Sequence, residues 1–420
     1  MSRLVIGSCP SPLRPIPGLR SITSANPSRE AKSPHSHLRS ATSVDTLAAR
    51  DHQTLPDLDS LLRQVLSIGA SDLHLKAAAP PMARAQGVLK PLGERPLSLS
   101  ECENIVFASM THAQQQEFTD KKELDYAYGL HGHGRFRVNA FFQRGTVSAA
   151  FRSVRLDIPS FEELRLPPSI RALCEHRDGI VLLTGATGTG KSTTLASMID
   201  FINSTQRRHI VTIEDPIEYI HSDKMCIISQ REVGIDTSSF TIALKQALRQ
   251  DPDVILIGEM RDPETIITAL TAAETGHLVL STLHTQNTTQ ALERIMDALP
   301  ESNRKMFMVQ LATSLRGIVS QRLLTRLDGS GLVPSVEVLI ATPTIRSLVM
   351  EGKFTDMYQY ISGGSFDGMQ TFTQSLIDLY QSGLVTEKEA YSKADRPTEF
   401  RLAIEGHITS GADLQEMGTF

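Results

Sequence analysis

Residues 185–192 read Gly185-Ala186-Thr187-Gly188-Thr189-Gly190-Lys191-Ser192, and this stretch decides the fold of the second half of the chain. Ahead of it, Ile180-Val181-Leu182-Leu183 is a short apolar run of the kind that forms a buried strand. Behind it, Ser192-Thr193-Thr194-Leu195-Ala196-Ser197-Met198-Ile199-Asp200 reads as a helix. A strand, the spacing G-x-x-x-x-G-K-[ST] and a helix together describe a loop that cradles phosphate. Gly185, Gly188 and Gly190 let the backbone curl so that its N–H groups converge on phosphate oxygens. Lys191 can then reach the β and γ phosphates, the Ser192 hydroxyl can ligate Mg²⁺, and the helix N-terminus adds the positive end of its dipole.

Working outward, strands and helices alternate from Gly179 onward. Strands are expected at Ile180–Leu183, His209–Ile213, Val254–Ile257 and Leu278–Thr282, and helices at 191–203, Ser239–Arg249, Pro263–Thr275 and Thr289–Met296. That alternation implies an α/β fold with a parallel, doubly wound sheet. A strand at Val333–Val338 precedes a mostly helical stretch that runs to about Tyr391.

Upstream the pattern differs. Leu58, Leu61, Leu62, Val65, Leu66 and Ile68 have helical spacing, and Asp72-Leu73-His74-Leu75 alternates as a strand. Val88–Leu92, Leu124–Tyr128, Arg135–Phe142 and Val147–Val154 also read as strands, and Ser98–Met110 as a helix capped by Ser98 or Ser100. This predicts a separate α+β domain over 54–155. A linker is expected over 156–178, where Leu156–Pro168 carries prolines and little periodicity. A parallel-sheet domain over 179–343, a helical region over 344–405 and a flexible tail over 406–420 complete the expected organisation. Residues 1–53 are rich in Ser, Pro and Arg and lack periodicity, so a disordered leader is expected there. Its composition also resembles an organellar transit peptide.

Composition narrows the function classes. The chain has 420 residues, 21% charged, with net charge −5. That balance and the absence of Trp argue against a nucleic-acid partner. Cys9, Cys102, Cys174 and Cys226 form no C-x-x-C pair, so neither a zinc site nor a disulfide framework is expected. No apolar run approaches membrane-spanning length.

Several side chains near expected strand ends can carry chemistry. Val254–Ile257 ends in Gly258-Glu259, which puts Glu259 where an acid can order the attacking water or reach magnesium through water. The Asp that most phosphate-loop enzymes carry one position earlier is Gly258 here. A second acidic group, Glu214-Asp215-Pro216-Ile217-Glu218, follows His209–Ile213. Its carboxylates would repel one another without a nearby cation. His277 and His284 flank the strand at Leu278–Leu283 on opposite sides, so a shared metal is not expected. Arg135 and Arg137 share one face of a strand, and Arg152 lies on another. A basic face of this kind is either a solvated surface or a source of an arginine finger.

Together these motifs resemble the secretion ATPases, and more narrowly the PilT/PilU type IV pilus retraction ATPases. The match is carried by Gly185–Thr193, Thr212–Tyr219, Arg249–Asp262 and Ala273–His284, and extends to Gly134–Phe141, Gln230–Gly234 and Gly368–Thr371. The resemblance implies a PAS-like first domain followed by a RecA-like ATPase domain, and binding of ATP and Mg²⁺. Gly185, Ala186, Thr187, Gly188, Thr189, Gly190, Lys191, Ser192 and Thr193 would bind nucleotide. Glu259 would be the catalytic acid, Glu218 the functional acid of an Asp box, and His277 and His284 a His box. Arg137 and Arg152 would approach nucleotide in a neighbouring subunit of a homohexamer. The resemblance further implies a cytoplasmic motor at the inner-membrane face that drives a pilus platform protein, with a PilT/PilU paralogue as a further partner. Roles as an accessory subunit or in a type IVB secretion machine fit the same motifs. Two departures stand out. The tetracysteine module of assembly-type relatives is absent, and the retraction motif reads Thr344-Ile-Arg-Ser-Leu-Val-Met-Glu351, with Met350 in place of its second arginine.

Overall fold

The computed structural model describes residues 57–406 apart from Gln86, Arg155 and Leu156. The expected leader at 1–53 and tail beyond Gly406 lie outside the described residues, as does Arg155. The described chain is a mixed α/β structure with two sheets.

The first sheet holds β1 (Asp72–Lys76), β2 (Met82–Ala85), β3 (Val88–Pro91), β4 (Glu123–Leu130), β5 (Gly134–Gln143) and β6 (Thr146–Ser153) in the order β3-β2-β1-β6-β5-β4, all antiparallel. Helices Leu58–Ser67, Leu99–Ala108 and His112–Lys121 pack on it. Leu62, Val65, Leu73, Val106, Phe118, Phe136, Val138 and Phe151 are among the buried side chains they share. The helix at Leu99 starts where expected. Ser98 accepts from the Glu101 backbone N–H while Glu101 reaches back to the Ser98 N–H, a reciprocal cap. The helix at His112 was not anticipated, because its ten residues bury only Phe118. Its signal was the matching cap Thr111…Gln114.

The second sheet holds β7 (Gly179–Thr184), β8 (His209–Glu214), β9 (Ile227–Glu232), β10 (Val254–Ile257), β11 (Leu278–Leu283), β12 (Leu315–Thr325) and β13 (Leu332–Ile340). The order is β13-β12-β7-β11-β10-β8-β9. It is mixed rather than wholly parallel, because β13 runs antiparallel to β12. Strands β7, β8, β10 and β11 are apolar and almost wholly buried, as strands covered on both faces must be. One face packs against helices 263–274, 288–298 and 304–314, and the other against helix Lys191–Thr205 and the 161–174 segment.

The strand β12 was not expected. Ser320, Gln321 and Arg322 interrupt its apolar run, and Ser320 and Gln321 are nonetheless buried. Buried polar groups persist where they are hydrogen-bonded, and both of these are: Ser320 to Thr184, Gln321 to Thr194. Among the described residues between Val154 and Pro168 no helix or strand forms. Phe161 and Leu166 are buried there, however, and Ser197 Oγ donates to Pro159 O at 2.6 Å, so the segment packs on the helix after the phosphate loop.

The C-terminal helices Phe372–Gln381, Glu387–Lys393 and Pro397–Ile404 close a smaller core with Leu324 of β12 and Val333 of β13. Helix Pro343–Glu351 buries Ile345 and Val349 and leaves Met350 exposed, so the departure at 350 lies on the surface.

Candidate active site

The register of the parallel strands brings the site together. Thr184 pairs with Leu283, Ile257 with Ser281, and Ile257 with Ile213. The residues that follow these strands therefore emerge at one edge of the sheet: Gly185 after β7, His284 after β11, Gly258 and Glu259 after β10, and Glu214 at the end of β8. Ligands of open α/β sheets bind at this carboxyl edge. A cavity of about 790 Å³ opens there, lined by Thr187, Gly188, Gly190, Lys191, Ser192, Thr193, Glu214, Asp215, Glu218, Glu259, Arg261, His284, Arg137 and Arg152, among others.

The loop conformation demands its glycines. Gly185, Gly188 and Gly190 have φ of 145°, 81° and 88°. A Cβ on Gly185 would stand 2.5 Å from Thr189 Oγ1 and 2.6 Å from the Gln321 carbonyl oxygen. Thr189 Oγ1 donates to Ala186 O at 2.9 Å and ties the loop across itself. Lys191 is 7% exposed, and its ammonium donates to Gly185 O at 2.8 Å and Ala186 O at 2.9 Å. Burial holds its pKa below the usual lysine value, while Glu218 and Glu259 oppose that shift. The Thr193 hydroxyl is bonded to Tyr219 OH at 2.9 Å.

Glu259 is mostly buried and held from two sides. Arg261 Nε forms an ion pair with Oε1 at 2.6 Å, and His284 Nε2 lies 3.4 Å from Oε2. The strand end beneath is fixed by Gly258 N donating to Ile213 O at 2.7 Å and Thr282 Oγ1 donating to Gly258 O at 2.6 Å. That explains the glycine at a position where most phosphate-loop enzymes carry an aspartate. A Cβ there would lie 3.3 Å from Ile213 O and 3.4 Å from Glu214 Cα, so a longer side chain would press on β8.

Glu218 lines the cavity but is exposed, and the more deeply placed acid of its segment is Glu214. Burial raises the Glu214 pKa, only partly offset by hydrogen bonds from Thr212 at 2.7 Å and Gln230 at 3.2 Å. His221, which also lines the cavity, has its pKa pushed down to about 4 by burial.

Arg137 and Arg152 come from the first sheet. They are cross-strand partners on β5 and β6, and Asp72 on β1 faces Arg152 in turn. Arg152 Nε donates to the buried Asp72 carboxylate at 2.8 Å. Burial raises the Asp72 pKa, but Ser71 and Arg152 outweigh that and hold it below the usual value. Both arginines line the cavity of the chain that carries them, whereas the resemblance implies an approach to a neighbour's nucleotide. Arg135 adds a second tie, 3.4 Å from Glu232 on β9.

His277 is placed elsewhere. It precedes β11, about 20 Å along the strand from His284, does not line the cavity, and has its Nδ1 2.9 Å from Ala272 O. Its geometry is that of a helix-end contact, so the structure does not bring the two histidines together. Arg261, Gln321 and His221 are cavity or supporting residues to which the motifs assign no role. The two-residue spacing from Glu259 to Arg261 was the available signal for the first. Contacts from β12 had none in the local sequence.

Among the described residues no group of three or more His, Cys, Asp or Glu could hold a metal ion. No helix among them is long and apolar enough to cross a membrane.

The model of the type II/IV secretion system protein family matches residues 48–338. The chain is 43% identical over 344 residues to the type IV pilus retraction ATPase PilT of Pseudomonas aeruginosa, covering 82% of this chain and all of that one. It is 42% identical over 357 residues to the type IV pilus ATPase PilU of the same organism, covering 85% of this chain and 94% of that one. The crystal structure of the pilus retraction motor PilT with bound ADP superposes with a TM-score of 0.75 at 44% identity, over 82% of this chain and 98% of that one.

Proposed function

The chain belongs to the type II/IV secretion system protein family, and on that premise we propose that it is a motor subunit coupling ATP hydrolysis to type IV pilus retraction. It is an ATP-hydrolysing enzyme of the PilT/PilU type. One observation carries the mechanism: the phosphate loop, the Arg261–Glu259–His284 group and Arg137 and Arg152 line a single cavity.

In this reading Gly185–Thr193 binds the phosphates and Lys191 exchanges its two carbonyl partners for phosphate oxygens. Glu259 orients the attacking water. Arg261 and His284 hold that carboxylate in one rotamer, so little reorganisation is needed when the water is activated. Glu218 supports it from the β8 side. Arg137 and Arg152 neutralise charge developing on the γ-phosphate, a role worth 10³–10⁵ in rate in known systems. The residues fit Mg²⁺: the Ser192 hydroxyl and nearby carboxylates are oxygen donors, the ligand type this ion takes. When bound, Mg²⁺ would supply charge stabilisation on the phosphates. Ser192 would hold it, with Glu259 reaching it through water. No role in the cavity is proposed for His277.

We further propose a homohexamer with a PAS-like domain over 54–155, a linker over 156–178, a RecA-like domain over 179–343 and a helical region over 344–405. Such a ring would act in the cytoplasm against an inner-membrane platform protein, alone or with a PilT/PilU paralogue. Deleting the gene and imaging pilus dynamics tests the proposal. Hyperpiliated, non-retracting cells support it, bald cells contradict it, and loss confined to high-load retraction points to the accessory role.

A further inference from the structure

The His284–Asn287 segment joins β11 to the helix Thr288–Ala298, and it carries the histidine that contacts Glu259. Two residues outside the cavity hold it. Glu337 on β13 is 4% exposed, and its Oε1 accepts from both the Thr288 backbone N–H and the Thr288 hydroxyl at 2.9 Å. Arg322 on β12 donates to Gln286 O at 3.4 Å. Ser320 pairs with Glu337 in the register, so Glu337, Ser320 and Arg322 stand on the same face.

Arg322 also leaves the segment in another direction. Its guanidinium donates to the Asp395 carboxylate at 2.7 and 2.9 Å and to Lys393 O at 2.7 Å, and it stacks over the Phe372 ring at 3.9 Å. One planar group thus joins the catalytic segment to the end of the Glu387–Lys393 helix. A lysine could not make these bonds together. The neighbouring Gln321 points the other way and accepts from Thr194, one helical turn into the helix after the phosphate loop.

We propose that Glu337 and Arg322 are positioning residues for hydrolysis: they brace the His284–Asn287 segment, and Arg322 makes that brace depend on the seating of the C-terminal helices. Displacing those helices withdraws Asp395 and Lys393 O from Arg322, loosens Gln286 and lets His284 leave Glu259. A misplacement of about 1 Å at a site of this kind costs on the order of 10²-fold in rate. The hydrolytic part of this inference rests on the function proposed above.

The test compares the full chain with its Asp395→Asn, Arg322→Lys, Glu337→Gln and Glu337→Ala variants, by amide hydrogen exchange over residues 284–290 and by steady-state ATP hydrolysis. Asp395→Asn and Arg322→Lys should speed that exchange about tenfold and lower kcat about tenfold, with KM for ATP within about twofold. Glu337→Gln, whose amide oxygen can still accept from Thr288, should rescue what Glu337→Ala loses. Placed in a His284→Gln background, Asp395→Asn should lose most of its effect, because the two act along one path. Unchanged exchange in Asp395→Asn and Arg322→Lys would overturn the brace whether or not the chain hydrolyses ATP. Faster exchange with unchanged kcat, or losses that multiply fully with His284→Gln, would overturn the positioning role. A wild-type chain that shows the exchange change in its variants but hydrolyses no ATP would overturn the functional reading, and the catalytic part of the brace with it.

Discussion

Gln321 accepts a hydrogen bond from Thr194 Oγ1 at 2.9 Å, and its own carbonyl oxygen lies 2.6 Å from where a Cβ on Gly185 would stand. The phosphate loop is therefore shaped from outside, by a strand more than a hundred residues further along the chain. Gly185→Ala meets that carbonyl with backbone that cannot rotate away, at a φ of 145°. The expected cost is about 1–3 kcal/mol of stability, with nucleotide affinity down at least tenfold. Thermal unfolding and ADP titration of the variant measure both. Gly188→Ala meets no atom within 4 Å and carries only the strain of its φ of 81°, so it should be the milder of the two.

Arg152 is aimed by a buried acid on the adjacent strand. Arg152→Ala is expected to lower kcat on the order of 10³-fold if it neutralises transferring phosphoryl charge, while leaving ADP affinity within a few-fold. Asp72→Asn should follow it in direction at smaller size, because the arginine stays but loses its charged anchor. Equal losses in ADP binding and in kcat would instead mark Arg152 as a ground-state binding residue.

His221 sets a pH window. Its folded pKa of about 4 lies below the ordinary histidine value of 6.5, so the unfolded chain binds the extra proton between those values. Stability from this group is complete above about pH 6.5 and is lost as pH falls toward 4, by on the order of 3 kcal/mol at the limit. Denaturant midpoints measured from pH 7 to 4 should fall less steeply in His221→Gln than in the parent.

How much of this was legible depends on where the determining contact lies. Elements whose signal is local were readable: the apolar runs Val254–Ile257 and Leu278–Leu283, the Ser98 cap, and the glycine spacing at 185–192. That Gly258-Glu259 ends a buried strand is readable from the four apolar residues before it. The strand β12 was not readable, since Ser320, Gln321 and Arg322 are polar for reasons that lie on other elements. The short strands β2 and β9 escaped for related reasons. Met82–Ala85 is four residues of weak strand formers, and Ile227–Glu232 is a polar edge strand. For the candidate site, the resemblance groups His277 with His284, but the six residues of β11 stand between them and leave His277 at the end of the strand away from the cavity.

The central claim is that one cavity binds ATP through the loop and hydrolyses it through Glu259. Steady-state ATP hydrolysis by the purified full chain, beside Glu259→Gln and Lys191→Ala with ADP binding measured in parallel, tests it most directly. Glu259→Gln should lower kcat by at least 10²-fold and keep ADP affinity within a few-fold, whereas Lys191→Ala should lose both. Hydrolysis near the parental rate in folded Glu259→Gln would contradict the account.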